Sequence, residues 1–396
     1  MESAGTAKTS VSERGSAARP AARPTMDYVR PPLLALSMLA LLAALWAGLL
    51  RFGWGLPAIQ PGLYVGHGPL MVCGFLGTLI SLERAVALGE GWSYAAPVLS
   101  GAGALALIVG IPDPIGPVLI TLGSLGLIAN FAAILHRQAA LFTITMALGA
   151  VAWFVGNCIW LAGIPIIEMF FWWTAFLVLT IVGERLELSR LTGLAEENRR
   201  SFVLSLAPFI GGLVIARQIP AAGLRLAGLG MLAMAIWLAK YDLARRTVKH
   251  EGLTRFIAVN LLAGYFWLGV GGVAWLWFGE DLTTFHYDIM LHAVFLGFVF
   301  SMIFAHAPVI FPSVLQRPLP YRRAFYVHSV FLHLSLALRI GGDLCGWYPG
   351  YQWGGLLNVL AVLVFVANTA RAIATARSRR ERRASATAAA MQGRPG

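Results

Sequence analysis

Six of the eight histidines fall on three apolar stretches: His67 on one, His286, His292 and His306 on or beside a second, and His328 and His333 on a third. Neutral imidazole is the commonest protein ligand for transition metals and for haem iron, so six on three stretches point to a shared metal or haem. The plainer use of a buried imidazole is an interhelical hydrogen bond, and either use turns it away from lipid. His136 and His250 sit beside Arg137 and Lys249 in polar connections and read as solvated.

Depth sorts the six. His67 and His292 each lie a few residues inside the start of their stretch. On parallel helices they would face one another at one level, as the two axial ligands of a bis-histidine haem do. His306 follows His292 by 14 residues, which is about 21 Å deeper and ~40° round the helix. The third stretch runs the opposite way, which brings His328 and His333 toward that deeper end. These two are five residues apart, roughly 140° round a helix, so they do not bind one ion together. The sequence therefore offers an outer pair, His67 with His292, and an inner metal site drawn from His306, His328 and His333. His286 is a further candidate at the edge. Pro308 and Pro312 are expected to bend or end the helix beyond His306.

Three stretches share a faint pattern. Gly74-Phe75-Leu76, Ala175-Phe176-Leu177 and Gly297-Phe298-Val299 are each followed, eight residues after the Phe, by Glu83, Glu184 and His306. A threefold repeat of four-helix units would produce this, and so would chance among Gly- and Phe-rich spans. Glu83-Arg84 and Glu184-Arg185 read as interfacial charge pairs, with Glu83 as a candidate for proton handling or for support of an inner ligand.

The elements that must position these groups are transmembrane helices. The 396 residues are 58% hydrophobic and 12% charged, with a mean hydropathy of +0.73, against roughly 25% charged in an ordinary soluble domain. Apolar runs at 32–52, 63–82, 93–110, 115–135, 139–161, 166–183, 201–219, 222–239, 254–278, 287–311, 323–342 and 352–374 each approach the ~20 residues that cross a bilayer. They read as helices because unpaired backbone is too costly in lipid. The fold class is thus all-α, a polytopic bundle of about twelve helices. With the amino terminus inside, Arg51, Arg217, Arg225 and Arg339 are the four of 30 basic residues left on outer segments, which satisfies the positive-inside rule. Both termini are then cytoplasmic, in a bacterial inner membrane. The net charge of +12 follows from this topology and from anionic lipid, with no call for nucleic acid.

Residues 1–30 read as a disordered tail, with Met26 an alternative start, 31–375 as the transmembrane domain, and 376–396 as a basic cytoplasmic tail. Cys73, Cys158 and Cys345 lack the spacing of a disulfide framework. Trp54, Trp160, Trp275, Trp347 and Trp353 fall near outer ends and read as an aromatic belt, and Glu168 as interfacial.

The stretch His67-Gly68-Pro69-Leu70-Met71-Val72-Cys73-Gly74-Phe75 resembles the second-helix signature of the NnrS family, matching it at His67, Met71, Gly74 and Phe75. Leu291-His292-Ala293, with Gly297 and Met302 following, resembles that family's later Leu-His-Ala helix. The resemblance implies a twelve-helix inner-membrane protein that holds haem and copper and serves the response to nitric oxide. A more distant likeness joins the chain to haem-copper oxidase subunit I. Pro69 stands where the NnrS family has a second histidine, which leaves a copper site relying on that imidazole incomplete. The sixth and seventh spans lack the copper-binding histidines of oxidases, which argues against an oxygen-reducing oxidase.

Three readings follow from the sequence. The first is a haem-binding membrane redox or nitric-oxide-response protein centred on His67 and His292, with respiratory-chain proteins or quinol as partners. The second is a twelve-helix secondary transporter, against which stand the scarcity of mid-bilayer charges and the lack of an obvious pair of broken helices. The third is a non-catalytic partner of a respiratory complex.

Overall fold

The computed structural model describes residues 27–58, 60–189, 196–315 and 319–392. Most of the 1–30 tail therefore lies outside the described residues. The apolar runs form twelve long helices: α1 (Arg30–Arg51), α2 (His67–Leu88), α3 (Gly91–Val109), α4 (Ile115–Arg137), α5 (Leu141–Leu161), α6 (Ile166–Ser189), α7 (Glu196–Ala216), α8 (Pro220–Tyr241), α9 (Gly252–Phe278), α10 (Thr284–Leu315), α11 (Phe325–Leu344) and α12 (Tyr348–Gln392). Eleven of these, among the described residues, are long and apolar enough to cross a membrane. The exception is α11, whose 20 residues include His328, His333, Arg339 and Asp343. The chain is a multi-pass membrane protein.

Several helices outrun the apolar stretches that announce them, because apolarity marks the lipid crossing while the backbone stays helical into the polar interface. α6 continues to Ser189, and α12 runs through the expected 376–396 tail as far as Gln392. α2 starts later than its apolar run: Pro61–Val65 form a 3₁₀ turn, and His67 opens the helix. Pro308 and Pro312 do not end α10, whose last α-helical stretch runs from Ser301 to Leu315 with both prolines inside. In a bundle, neighbouring helices stabilise such interruptions.

Sequence neighbours pack as antiparallel pairs, most extensively α7 with α8, α5 with α6, α11 with α12, and α8 with α9. α1 also touches α10 and α12, which brings the two ends of the chain together. The three helices that carry the repeat, α2, α6 and α10, are the most buried spans. Phe75, Phe176 and Phe298 are all within the core.

α2 and α10 share a second feature. Each contains eight residues of π-helix, Leu70–Gly77 and Ala293–Phe300, with the Gly-Phe pair at the fifth and sixth positions in both. A π-helical stretch inside an α-helix is rare and is often found at functional sites. It is tolerated here because the central glycines admit neighbours: a β-carbon on Gly74 would lie 3.0 Å from Ala40 and 2.9 Å from Ala104. α6 carries Ala175 at the corresponding place and stays α-helical.

The tryptophans divide. Trp347 and Trp353 are exposed near the turn before α12, and Trp54 packs edge-on against Trp353. Trp275 does not belong to any belt. It is fully buried, donates to the carbonyl of Met290 at 3.0 Å and packs on Phe170. Its indole N–H finds a partner inside the bundle, so the lipid interface offers it nothing more. His136, His250 and Glu168 are exposed. All three cysteines are free.

Candidate functional site

His67 is fixed by what precedes it. Gln60 accepts from the amide of Gly62 and donates to the carbonyl of Leu107, which ties the 3₁₀ turn to α3 and sets where α2 begins. The His67 ring then lies against α1, its Nδ1 2.8 Å from the carbonyl of Ala44. Gly48 makes that contact possible, since a β-carbon there would stand 3.0 Å from Nδ1.

His292 is fixed from within its own helix and from α11. Its Nδ1 lies 3.1 Å from the Asp288 carbonyl and 3.0 Å from the Asp288 carboxylate, one turn earlier. Arg339 holds that carboxylate from α11 with hydrogen bonds of 2.7 and 2.6 Å. The guanidinium lies over the rings of Phe52 and Tyr351, 4.9 and 5.6 Å from their centres. Asp343, one turn on from Arg339, is buried with both carboxylate oxygens unpartnered.

The structure brings the two imidazoles together, with ring centres 6.4 Å apart and planes inclined by 30°. Every Nδ1 partner is an acceptor, so in both neutral rings Nδ1 carries the proton and Nε2 the lone pair. Tying down the Nδ1 proton in this way is how proteins orient histidine ligands. Two imidazoles bound through Nε2 on opposite sides of one metal, at about 2 Å each, have ring centres about 6 Å apart. The residues present therefore fit a bis-imidazole centre such as haem. Arg339 Nη2 also approaches His292 Nε2 at 3.4 Å.

Both rings line a cavity of about 1130 Å³, which exceeds the ~300–1,000 Å³ of ordinary ligand pockets. Its wall includes Met71, Phe170, Trp173, Phe295, Arg51 and Arg339, an aromatic interior with cations beside it. Gly68 lines the same space, with no neighbour closer than 3.9 Å to where a β-carbon would stand.

The other candidate histidines are not gathered. His286, in the first turn of α10, stacks on Phe278 at 3.9 Å and bonds Asp281 at 2.9 Å. Asp281 itself is held below the usual carboxylate range, first by the amide of Thr283 and then by His286. His333 accepts from Trp267 at 3.0 Å near the middle of α9, away from the Glu83 end where its spacing had suggested it. His328 is boxed by Phe304, Phe365, Phe325 and Phe256 and touches Asn368. His306 bonds its own helix at the carbonyl of Met302. No hydrogen bond or ring contact joins His306 to His328 among the described residues. Nor do three His, Cys, Asp or Glu side chains group there to hold a metal ion.

At the end of the bundle opposite His67, Arg84 bridges Glu83, at 3.1 Å, and Glu184, at 2.5 Å, across α2 and α6. Arg185 pairs with Asp242 at 2.8 and 2.9 Å and with the Tyr265 hydroxyl at 3.1 Å, fully inside the protein. Sequence reasoning treated Arg185 as interfacial and Arg339 as an outer-segment charge, and it read intramembrane charges as scarce. The structure adds that both arginines are buried in bidentate pairs. The signal available beforehand was Asp288 four residues before His292, which puts both on one helix face.

A family model described as a domain of unknown function, DUF8744, matches residues 30–374. No curated protein and no solved structure matches the chain.

Proposed function

The chain belongs to the DUF8744 family, and from the site's geometry we propose that it is a haem-binding membrane redox protein with His67 and His292 as axial ligands. The observation that carries this reading is the 6.4 Å separation of the two rings, with each Nδ1 facing an acceptor and Arg339 Nη2 3.4 Å from His292 Nε2. When bound between two histidines, haem supplies one-electron exchange. The protein's own part is to hold both imidazoles in one tautomer, to line the space beside them with Phe170, Trp173 and Phe295, and to offer Arg51 and Arg339 to anionic groups of the ligand. The resemblance at His67–Phe75 and Leu291–Ala293 supports a role in the response to nitric oxide, in an inner membrane with both termini cytoplasmic. Copper is the lesser part of the proposal, given Pro69 and the lack of a hydrogen bond or ring contact between His306 and His328 among the described residues.

The test is ligand replacement in purified protein. His67→Ala and His292→Ala should each abolish or strongly weaken the haem absorption while the protein still inserts. His333→Ala should do neither. Haem bands that survive the loss of both His67 and His292 would contradict the proposal.

A second reading, substrate transport, is favoured by the paired π-helical stretches of α2 and α10 beside a cavity, since transporters place binding sites at interrupted helices in corresponding positions. A haem signal dependent on both histidines separates the two.

A further inference from the structure

The two imidazoles are held alike in geometry and unlike in charge. His67 donates from Nδ1 to a neutral backbone carbonyl, that of Ala44. His292 donates from Nδ1 to the carbonyl of Asp288 at 3.1 Å, with the carboxylate of the same residue 3.0 Å from that nitrogen. That carboxylate is buried, and Arg339 holds it through both oxygens. A carboxylate on the Nδ1–H of a ligand imidazole draws the proton and makes Nε2 a stronger donor. A stronger donor favours the more positive oxidation state of a metal on Nε2.

We infer that Asp288 and Arg339 are positioning residues that set the reduction potential of the His67–His292 centre, with Asp288 lowering it through His292 and Arg339 fixing the carboxylate. This inference rests on the bis-imidazole reading and adds the regulation of that site. Arg339 has two roles in it. Its bidentate grip fixes the carboxylate beside Nδ1. Its positive charge also offsets part of the field that Asp288 imposes, so the pair sets the potential together. The stacking of the guanidinium over Phe52 and Tyr351 limits the directions in which it can swing away. Asp288 also fixes which nitrogen of His292 is left to face the site, because a flip of the ring would break the Nδ1 contact.

The experiment is a redox titration, followed optically, of full-length detergent-purified protein saturated with iron protoporphyrin IX. Asp288→Asn is nearly isosteric and cannot draw the proton. It should keep the low-spin bands and weaken the preference for the oxidised state at least tenfold, a rise in midpoint of about 59 mV or more for one electron. Because that change leaves Arg339 without a partner, the double variant Asp288→Asn with Arg339→Gln removes both charges and guards against misfolding. Its midpoint should also rise, by less. An unchanged or lowered midpoint in a variant that retains the bands would overturn the inference, as would loss of the bands from both, which would make the pair part of the site's construction. Wild-type protein that gives no low-spin bands would instead contradict the underlying bis-imidazole reading.

Discussion

Arg339 on α11 grips Asp288 on α10 through both carboxylate oxygens, and each side chain is less than a tenth exposed. A buried ion pair adds little net stability against an apolar substitute of the same shape, but breaking it strands a charge. Asp288→Ala or Arg339→Ala should each destabilise the protein by about 3–5 kcal/mol. Asp288→Asn combined with Arg339→Gln should lose much less. Thermal unfolding in detergent measures all three, and equal losses for the single and double changes would contradict a mainly electrostatic role.

Gly48 gives a more local prediction. Its absent side chain is what lets the His67 ring reach the carbonyl of Ala44. Gly48→Val should push the imidazole off α1 and weaken haem binding, while helix content is unchanged. Absorbance at saturating haem, read beside circular dichroism, checks it. Full binding with Val at this position would mean that the ring's seat on α1 is dispensable.

Much of this architecture is legible in the sequence because lipid makes a simple demand of it. Apolar runs and the placement of Lys and Arg locate all twelve helices, and the depth of His67 and His292 follows from where those runs begin. What the sequence conceals is direction around each helix. Trp275 lies near a helix end and yet faces the core. His306 and His328 share an end of the bundle but sit in different surroundings, one bonded to its own helix and the other among phenylalanines. The π-helical stretches shift the face that α2 and α10 present, and no residue pattern at Leu70–Gly77 or Ala293–Phe300 announces them. Arg339 and Asp288 are hidden for another reason. Asp288 is a lone charge in its run and Arg339 has Asp343 one turn on, so the pairing of Arg339 with Asp288 exists only once α10 and α11 are packed.

Acid should loosen the turn before α10. The carboxyl of Asp281 accepts from the amide of Thr283 and from His286, and is held below its ordinary range. A carboxylate with a depressed folded pKa contributes stability above the unfolded value of about 3.9 and loses it as pH falls through the folded value. The turn should therefore lose this contribution as pH falls below about 4. Exchange of the Thr283 amide, compared between wild type and Asp281→Asn, tests this. Equal exchange in the two proteins near neutral pH would contradict it.

Orientation in the membrane has a direct test. Three helices, α10, α11 and α12, separate the 280–286 turn from residue 375, so reporters at these places should lie on opposite faces. The charge distribution predicts the one after residue 375 to be cytoplasmic. Reporters on the same face would mean that α11, the least apolar of the twelve, does not cross.

The most direct test of the central claim is the optical spectrum of purified wild-type protein, oxidised and then reduced with dithionite. Two neutral imidazoles with ring centres 6.4 Å apart should hold haem iron in six-coordinate, low-spin form. Reduction should then bring up sharp α and β bands. Protein that binds no haem, or that gives only a high-spin spectrum, would contradict the assignment of His67 and His292 as a ligand pair.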